Sequence, residues 1–290
     1  MSNAFESRLL LVLTALLFSS GGAAIKLTSL SSWQVSAFRS AIGAATLFLL
    51  LPQTRRNWSG KVLAAALSYA GTLVLFVLAN KLTTSANAIF LQSTAPIYVV
   101  LLSPWMLQER VNRRDIFVML AIAIGLFLFF ASPEQASRTA PDPFHGNIIA
   151  AFSGITWALT LISLRALARK GETGGAAQAT AAWGNVFACL ICLPLAVPVH
   201  SSTSVDWLVV SFLGIFGIGF AYICLTRGIR HVPAIESATI LLLEPALNPL
   251  WSWLVHGERP GVFPLCGGAL ILGATVIKMR VDAVAPSRST

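Results

Sequence analysis

One carboxylate, Glu244, lies in the middle of a long apolar run of the sequence. Ser237, Asn248 and Trp251 are spaced so that they share one face of a helix with it. An ionisable side chain is costly in lipid, so one at mid-run is a candidate functional residue. We interpret Glu244 as facing a cavity, where it would attract an ammonium group or exchange a proton. The alternative is a protonated or hydrogen-bonded glutamate that holds helices together.

Two prolines interrupt apolar runs next to polar side chains. Pro245 follows Glu244 directly, and Pro96 follows Gln92 and Ser93 within about one turn, with Tyr98 beside it. Proline removes a backbone hydrogen bond and kinks a helix, and carbonyls freed in this way can face a cavity. We therefore predict Pro96 and Pro245 as hinges, with ligand-binding residues around them. The alternative is hydrogen bonding between helices, worth often only about 0.6 kcal/mol per pair in a bilayer.

Aromatic and amide side chains complete the candidate site. Trp157 lies at mid-run, whereas membrane tryptophans usually collect near the interfaces, and its π-face would suit an organic cation or a ring. Tyr69, Phe76 and Asn80 share one face of another run. The predicted substrate-binding residues are Phe76, Asn80, Gln92, Ser93, Tyr98, Trp157, Tyr222, Glu244 and Asn248.

The elements that must position these residues are apolar runs. Of the 290 residues, 56% are hydrophobic and 11% are charged, against about 45–50% and 25% in a soluble domain. A helix needs about 20 mostly apolar residues to span a bilayer. The signal-peptide outline of the first run is weak, because Arg8 is balanced by Glu6. We predict an all-α, polytopic membrane protein of ten transmembrane helices: Leu9–Leu27, Trp33–Leu51, Val62–Asn80, Ser85–Leu107, Asp115–Ala131, Asn147–Ala168, Ala176–Val197, Trp207–Thr226, Ala234–Val255 and Val262–Lys278.

The basic residues predict an orientation for these spans. Cytoplasmic loops carry an excess of Lys and Arg. With the N-terminus inside, fifteen of the 20 basic residues fall in inside segments, and only Lys26, Lys81, Arg138 and Arg259 fall outside. Arg39 is left over within the second run. We therefore predict that both termini are cytoplasmic and that the net charge of +9 forms a cytoplasmic face, with no nucleic-acid partner.

The sequence contains an internal repeat. An offset of 149 residues aligns the segment 88–96 with 237–245, and the same offset carries Glu109-Arg110 onto Glu258-Arg259. Each half then holds five spans, and because five is odd the halves enter the bilayer in opposite senses. We predict two inverted five-helix repeats, residues 1–137 and 138–290, within one membrane domain. Inverted repeats with interrupted helices are typical of secondary transporters.

Two acidic residues at run ends, Glu109 and Glu258, are predicted to pair with nearby Arg side chains or helix termini. The alternative is that each belongs to a gate. The four histidines fall at loops or run ends, so we expect no metal site. No Gly-rich phosphate-binding loop is present in the sequence, so we expect no ATP-driven pumping and no cofactor.

The helices of Pro96 and Pro245, each followed by Glu-Arg and a glycine-containing last helix, resemble the drug/metabolite transporter superfamily. The Lys26 and Arg39 region after a Ser-Gly-rich first helix resembles it too. The chain is similar to its ten-helix EamA-like exporters, and bacterial amino-acid exporters of the YddG type are the branch suggested. The second half departs from the first, because Ala181-Ala182-Trp183 stands where Arg39 would have its equivalent. The resemblance implies export of small metabolites, including amino acids.

Taken together, these features predict a secondary transporter that acts by alternating access. It would export small organic solutes, chiefly amino acids with aromatic or hydrophobic side chains, across the inner membrane, as a monomer whose partners are the solute and the bilayer. Export rests on the resemblance, so import, exchange and the coupling ion stay open. Another metabolite or a drug-like cation is the alternative solute. A polytopic membrane enzyme is the alternative class, and the absence of an Asp pair or a His cluster from the sequence disfavours it.

Overall fold

The structure is a computed structural model that describes residues 2–108, 113–131, 135–169, 175–229, 231–232, 237 and 240–284. Within those ranges the chain is helical and forms no β-strand, and one isolated bridge pairs Ser137 with Ala140. A short 3₁₀ helix, Pro52–Arg55, and a π-helix, Leu213–Phe220, accompany the α-helices. The α-helices are α1 Ser2–Ser19, α2 Gly21–Leu27, α3 Ser32–Leu50, α4 Gly60–Leu82, α5 Ser85–Gln92, α6 Ala95–Met106, α7 Arg113–Ala131, α8 Pro143–Arg169, α9 Ala176–Ala196, α10 Ser204–Phe212, α11 Ala221–Gly228, α12 Leu243–His256 and α13 Val262–Val284.

Hydroxyl side chains begin several of these helices. Ser31 and Thr203 form capping boxes with Gln34 and Asp206 at the starts of α3 and α10. Thr84 accepts a hydrogen bond from the backbone N–H of Asn87 at the start of α5, 3.3 Å away. Such caps satisfy backbone donors that have no partner inside the helix, which matters most where water is scarce.

Six helical segments in the described part are long and apolar enough to cross a membrane. They are Phe5–Leu27, Gly60–Leu82, Ser85–Met106, Pro143–Leu167, Ala176–Ala196 and Ser204–Gly228. The apolar helices Ile116–Ala131 and Val262–Ile277 are shorter. The chain is therefore a multi-pass helical membrane protein, and the count of ten spans stays a prediction.

Four of the predicted continuous spans are interrupted in the described residues, one of them before Pro245. The first is divided between α1 and α2 at Ser20, and the Trp207–Thr226 run contains the π-helix. The Ser85–Leu107 run is broken at residues 93–94, so that Pro96 stands in the first turn of α6 rather than at a bend inside one helix. Proline fits a first turn because its missing N–H has no acceptor there.

The helix of Pro245 is broken in the same way. Leu241 is helical, Leu242 forms a turn, and α12 begins at Leu243, so the break again precedes the proline. Ser93 and Leu242 are related by the offset of 149 residues that the sequence alignment uses. Both predicted hinges therefore lie in the first turn after a helix break rather than at the centre of a kink.

Several helix packing contacts recur when helices are exchanged with the counterparts that the predicted repeat gives them, five predicted spans away. α1 packs on α11 and α12, and its counterpart α8 packs on α4 and α6. α4 packs on α9, and correspondingly the π-helix packs on α3. The pairs α3–α9 and α7–α13 each join a helix with its own counterpart, and the α5–α12 contact joins the fourth and ninth predicted spans.

Small residues permit the α7–α13 crossing. A Cβ added to Gly125 would lie 2.9 Å from the carbonyl oxygen of Gly267, and one added to Gly267 would lie 2.7 Å from the carbonyl oxygen of Gly125. Such close approach of backbones is the purpose of small residues at membrane helix interfaces.

The bundle has two ends, which we name by residues. At the Ser7 end, Ser7 Oγ lies 3.3 Å from Nδ1 of His231, and the start of α1 meets the end of α11 at Gly228. At the Lys26 end, Lys26 of α2 contacts the carbonyl oxygens of Thr83 and Thr139 and the carboxylate of Glu258. The middle of the bundle, between these ends, contains the cavity described next.

Candidate functional site

A cavity of about 450 Å³ lies among the helices and is lined mostly by residues from their central parts. This volume falls within the usual range for small-molecule sites, which are mostly apolar with a few polar groups. The structure brings eight of the eleven predicted site and hinge residues to its wall: Phe76, Gln92, Ser93, Pro96, Trp157, Tyr222, Glu244 and Pro245.

Three predicted site residues are not on the cavity wall. Tyr98 lies on α6 beyond the lining residues. Asn80 and Asn248 are fully buried, each about one turn further towards the Lys26 end than the lining residues Phe76 and Glu244. Their amides pack against Gly22 of α2, because a Cβ there would lie 2.6 Å from Oδ1 of Asn248 and 3.1 Å from Oδ1 of Asn80.

Tyr69, Trp157 and Tyr222 form an aromatic wall of the cavity, and Phe18 packs against it. The hydroxyl of Tyr222 donates a hydrogen bond to the hydroxyl of Tyr69, 2.6 Å away. The ring centroids of Tyr69 and Trp157 are 6.1 Å apart, and Phe18 meets Tyr222 edge to face at 5.7 Å. These separations are those of interacting aromatic pairs, so the rings hold one another in place.

An acidic side chain and a basic side chain also line the cavity. Glu244 is half-buried, and within the described part of the chain its carboxylate makes no hydrogen bond or ion pair. Arg39 of α3 is 6% exposed, and its Nη2 donates to the carbonyl oxygen of Leu73 at 2.9 Å. Its Nε has no hydrogen-bond partner.

Irregular backbone reaches the cavity from both halves of the chain. Gln92 and Ser93 stand at the break between α5 and α6, and Leu241 and Leu242 at the break before α12. Ser93 Oγ donates to the carbonyl oxygen of Ile89 at 2.8 Å, so this hydroxyl caps its own helix. In membrane proteins non-helical backbone is tolerated where it is buried or lines a cavity.

The π-helix contributes a further part of the wall, through Leu213, Gly217 and Ile218. π-Helical turns occur frequently at functional sites. The glycines of this segment let it lie close to α3, since a Cβ on Gly214 would come within 2.7 Å of Ile42.

At the Lys26 end, two layers of side chains separate the cavity from the loops. The first layer is the contact of Gly22 with Asn80 and Asn248. The second is an ion pair between Nζ of Lys26 and Oε1 of Glu258, 2.9 Å apart, with side chains only 2% and 3% exposed.

The ion pair joins several elements at this end. Oε2 of Glu258 accepts the backbone N–H of Ser85, the first residue of α5, at 3.0 Å. Lys26 also donates to the carbonyl oxygen of Thr83 at 2.8 Å. The predicted partners of Glu258 were an Arg or a helix terminus, and the structure gives a lysine together with a helix terminus. Glu109 lies outside the described residues.

Arg39 and Tyr69 line the cavity but were not among the predicted substrate-binding residues, and the π-helix was not predicted. Arg39 was an ionisable residue within a span, which is the same signal that selected Glu244. Tyr69 shares a helix face with Phe76, two turns before it. The π-helix has no comparable signal in the sequence. In the described ranges no three His, Cys, Asp or Glu side chains are grouped as metal ligands.

Comparison with known proteins gives consistent matches over the chain. The EamA-like transporter family matches residues 7–131 and 144–279. The pseudopaline exporter CntI of Pseudomonas aeruginosa is 26% identical over 94% of this chain and 95% of that protein. An uncharacterized transporter of Archaeoglobus fulgidus is 25% identical over 90% of this chain and 96% of that protein. A solved crystal structure shares the fold, with a TM-score of 0.59 and 18% identity over 93% of this chain and 97% of the other.

Proposed function

We propose that this chain, which belongs to the EamA-like transporter family, is a secondary transporter that exports amino acids by alternating access. The membership itself makes it a membrane transporter of a small solute and points away from an enzyme. The proposal adds the solute class, which is amino acids with aromatic or hydrophobic side chains, and the direction of transport, which is export. It also adds the inner membrane as the location, with both termini cytoplasmic.

The observation that carries this proposal is the content of the central cavity. An aromatic wall of Tyr69, Trp157 and Tyr222 faces the same space as the carboxylate of Glu244. An aromatic wall gives apolar contact area and a π-face, and a carboxylate attracts an ammonium group. A hydrophobic amino acid presents both an apolar side chain and an ammonium group.

Alternating access is supported by the helix packing and by the side-chain layers at the Lys26 end. Packing contacts that recur between counterpart helices are what two similar, oppositely inserted halves would give. The two separate family matches, 7–131 and 144–279, support the division at residues 137 and 138. The Lys26–Glu258 pair and the asparagine layer lie at one end of the cavity, where one of two alternating states would need a closure.

Export is supported by the relative whose name says that it exports pseudopaline, a solute that this chain need not share. A different metabolite or a drug-like cation is therefore the second candidate solute. The carboxylate of Glu244 and the π-face of Trp157 would suit a cation as well.

A counterflow assay tests the proposal. Purified protein in liposomes loaded with an unlabelled amino acid should accumulate the same labelled amino acid, with phenylalanine and leucine exchanged faster than glutamate. Organic cations and sugar conjugates are run alongside. Exchange of cations without any amino acid would overturn the amino-acid assignment, and absence of all exchange would overturn transport of this solute range.

The aromatic wall gives a matched pair of variants for this assay. Trp157→Ala should reduce phenylalanine exchange about tenfold, because it removes ring contacts worth roughly 1 kcal/mol in addition to buried area. Trp105→Ala is the control, since Trp105 is 80% exposed and lies off the cavity wall. Equal losses in the two variants would remove Trp157 from the site.

A further inference from the structure

Arg39 is a buried cation that no side chain of the described residues pairs with. Its single hydrogen bond in the described part of the chain runs from Nη2 to the Leu73 carbonyl oxygen. Arg39 is 94% buried, and its Nε has no hydrogen-bond acceptor. A buried charge is normally paired, because the loss of hydration is otherwise uncompensated. Arg39 also lines the central cavity, so an acceptor can come from a ligand there.

The cavity therefore contains one unpaired cation and one unpaired carboxylate. Arg39 and Glu244 do not pair with each other, and both line the same space as Tyr69. The guanidinium group is a planar fork of donors that matches a carboxylate. A ligand with a carboxylate and an ammonium group would supply the missing partner to each.

We propose that Arg39 binds the carboxylate of the transported solute while Glu244 binds its ammonium group, so that the cavity selects zwitterions. This inference rests on the proposed function and adds a residue and a charge rule to it. A simple amine would leave Arg39 without an anion and would be repelled by it. A simple acid would leave Glu244 without a cation and would be repelled by its carboxylate. Rejection by unpaired charges is a common source of specificity.

The test compares three solutes of similar size in counterflow: phenylalanine, phenethylamine, which lacks the carboxylate, and 3-phenylpropionate, which lacks the ammonium group. The wild-type protein should exchange phenylalanine about tenfold to a hundredfold faster than either analogue, as expected for one charge-assisted hydrogen-bonded contact. Equal rates for the three solutes would overturn the inference and leave the proposed transport standing. Exchange of none of the three would overturn the amino-acid assignment as well.

Variants assign the two contacts. Arg39→Gln should lose phenylalanine exchange and the rejection of phenethylamine, while keeping the rejection of 3-phenylpropionate. Glu244→Gln should slow phenylalanine exchange without abolishing it, lose the rejection of 3-phenylpropionate and keep the rejection of phenethylamine. Arg39→Lys, which keeps the charge and loses the fork, should recover part of the preference over phenethylamine.

Matched controls separate binding from folding. Arg55→Gln and Glu6→Gln make the same changes at exposed positions, and Arg55 also donates to one backbone carbonyl, that of Phe48. Both should keep the wild-type preferences. A folded Arg39→Gln protein, judged by its thermal unfolding, that keeps the wild-type ratio of phenylalanine to phenethylamine exchange would overturn the role of Arg39. If that variant does not fold, the wild-type comparison and Arg39→Lys decide the question.

Discussion

At the residue scale, the candidate site depends on a few side chains whose positions are fixed by contacts with neighbouring side chains. The Tyr222–Tyr69 hydrogen bond fixes two hydroxyls between α11 and α4. A buried hydroxyl that loses its partner costs about 1–3 kcal/mol, which is a strong reason for the pair to stay together. The tyrosines thus present a fixed aromatic surface, while Glu244 and Arg39 keep groups available for a ligand.

Glu244 also allows a test of proton coupling. If protons drive transport through this carboxylate, Glu244→Gln should abolish accumulation driven by a pH gradient, because glutamine cannot take up and release a proton. Exchange without a gradient should stay measurable. The measurement is uptake against imposed pH steps, with the cavity groups Arg39, Tyr69 and Tyr222 left unchanged. An unchanged pH dependence would remove Glu244 from coupling without affecting its role in binding.

The sequence predicted much of the site because position within a span is a strong signal. Glu244 stood out because a carboxylate is costly in lipid, and Trp157 because membrane tryptophans usually lie at the interfaces. Both residues line the cavity. Asn80 and Asn248 carried the same kind of signal, yet they fill the layer beyond the cavity. Helical spacing gives the face of a helix that is buried, whereas the depth at which packing becomes a cavity depends on neighbouring helices.

At the element scale, helix breaks distinguish this bundle from a set of continuous spans. Apolar runs predicted the helices themselves, since their length and composition are local properties. The prolines predicted the region of two breaks to within a few residues. The π-helix was not predictable from its own sequence, because its glycines are explained by contacts with Ile42 and Thr46 of the distant helix α3.

Gly22 of α2 provides an element-scale prediction. Gly22→Ala should lower stability by about 1–3 kcal/mol, because the new methyl group would overpack the asparagine amides. Thermal unfolding in detergent measures the change. Gly273→Ala in α13 is the control, since its Cβ would meet nothing within 4 Å and alanine favours a helix. A Gly22→Ala protein as stable as the control would show that the layer is loosely packed.

At the scale of the whole molecule, two inverted five-helix halves predict that both termini lie on the same side of the membrane. Reporter fusions at the N-terminus and the C-terminus should both report the cytoplasm, as the fifteen-to-four distribution of basic residues predicts. Two inverted halves with both termini on one side require an even number of spans. Termini on opposite sides would contradict the ten-span arrangement.

Variants of the Lys26–Glu258 pair test whether this ion pair keeps the Lys26 end of the bundle closed. Lys26→Met should destabilise this end by about 3–5 kcal/mol, because it leaves a carboxylate buried without its cation. Labelling of an introduced Asn80→Cys, with the native cysteines replaced, should then increase from the side that faces the Lys26 end.

The double variant Lys26→Met/Glu258→Gln is the control for charge. Removing both partners of a buried pair is often close to neutral, so its labelling should be lower than in either single variant. Labelling of Lys26→Met equal to that of the parent Asn80→Cys protein would show that the pair does not hold this end closed.

The pairing of opposite charges has an electrical consequence. Moving one elementary charge through 100 mV is worth about 2.3 kcal/mol. Lys26 and Glu258 form an ion pair without net charge, and Arg39 and Glu244, which are not paired with each other, also sum to zero. Rearrangements that move these groups by similar amounts therefore transfer almost no protein charge across the membrane. A zwitterionic solute adds none. The voltage dependence of transport would then report the coupling ion alone, and a cycle without such an ion would be electrically silent.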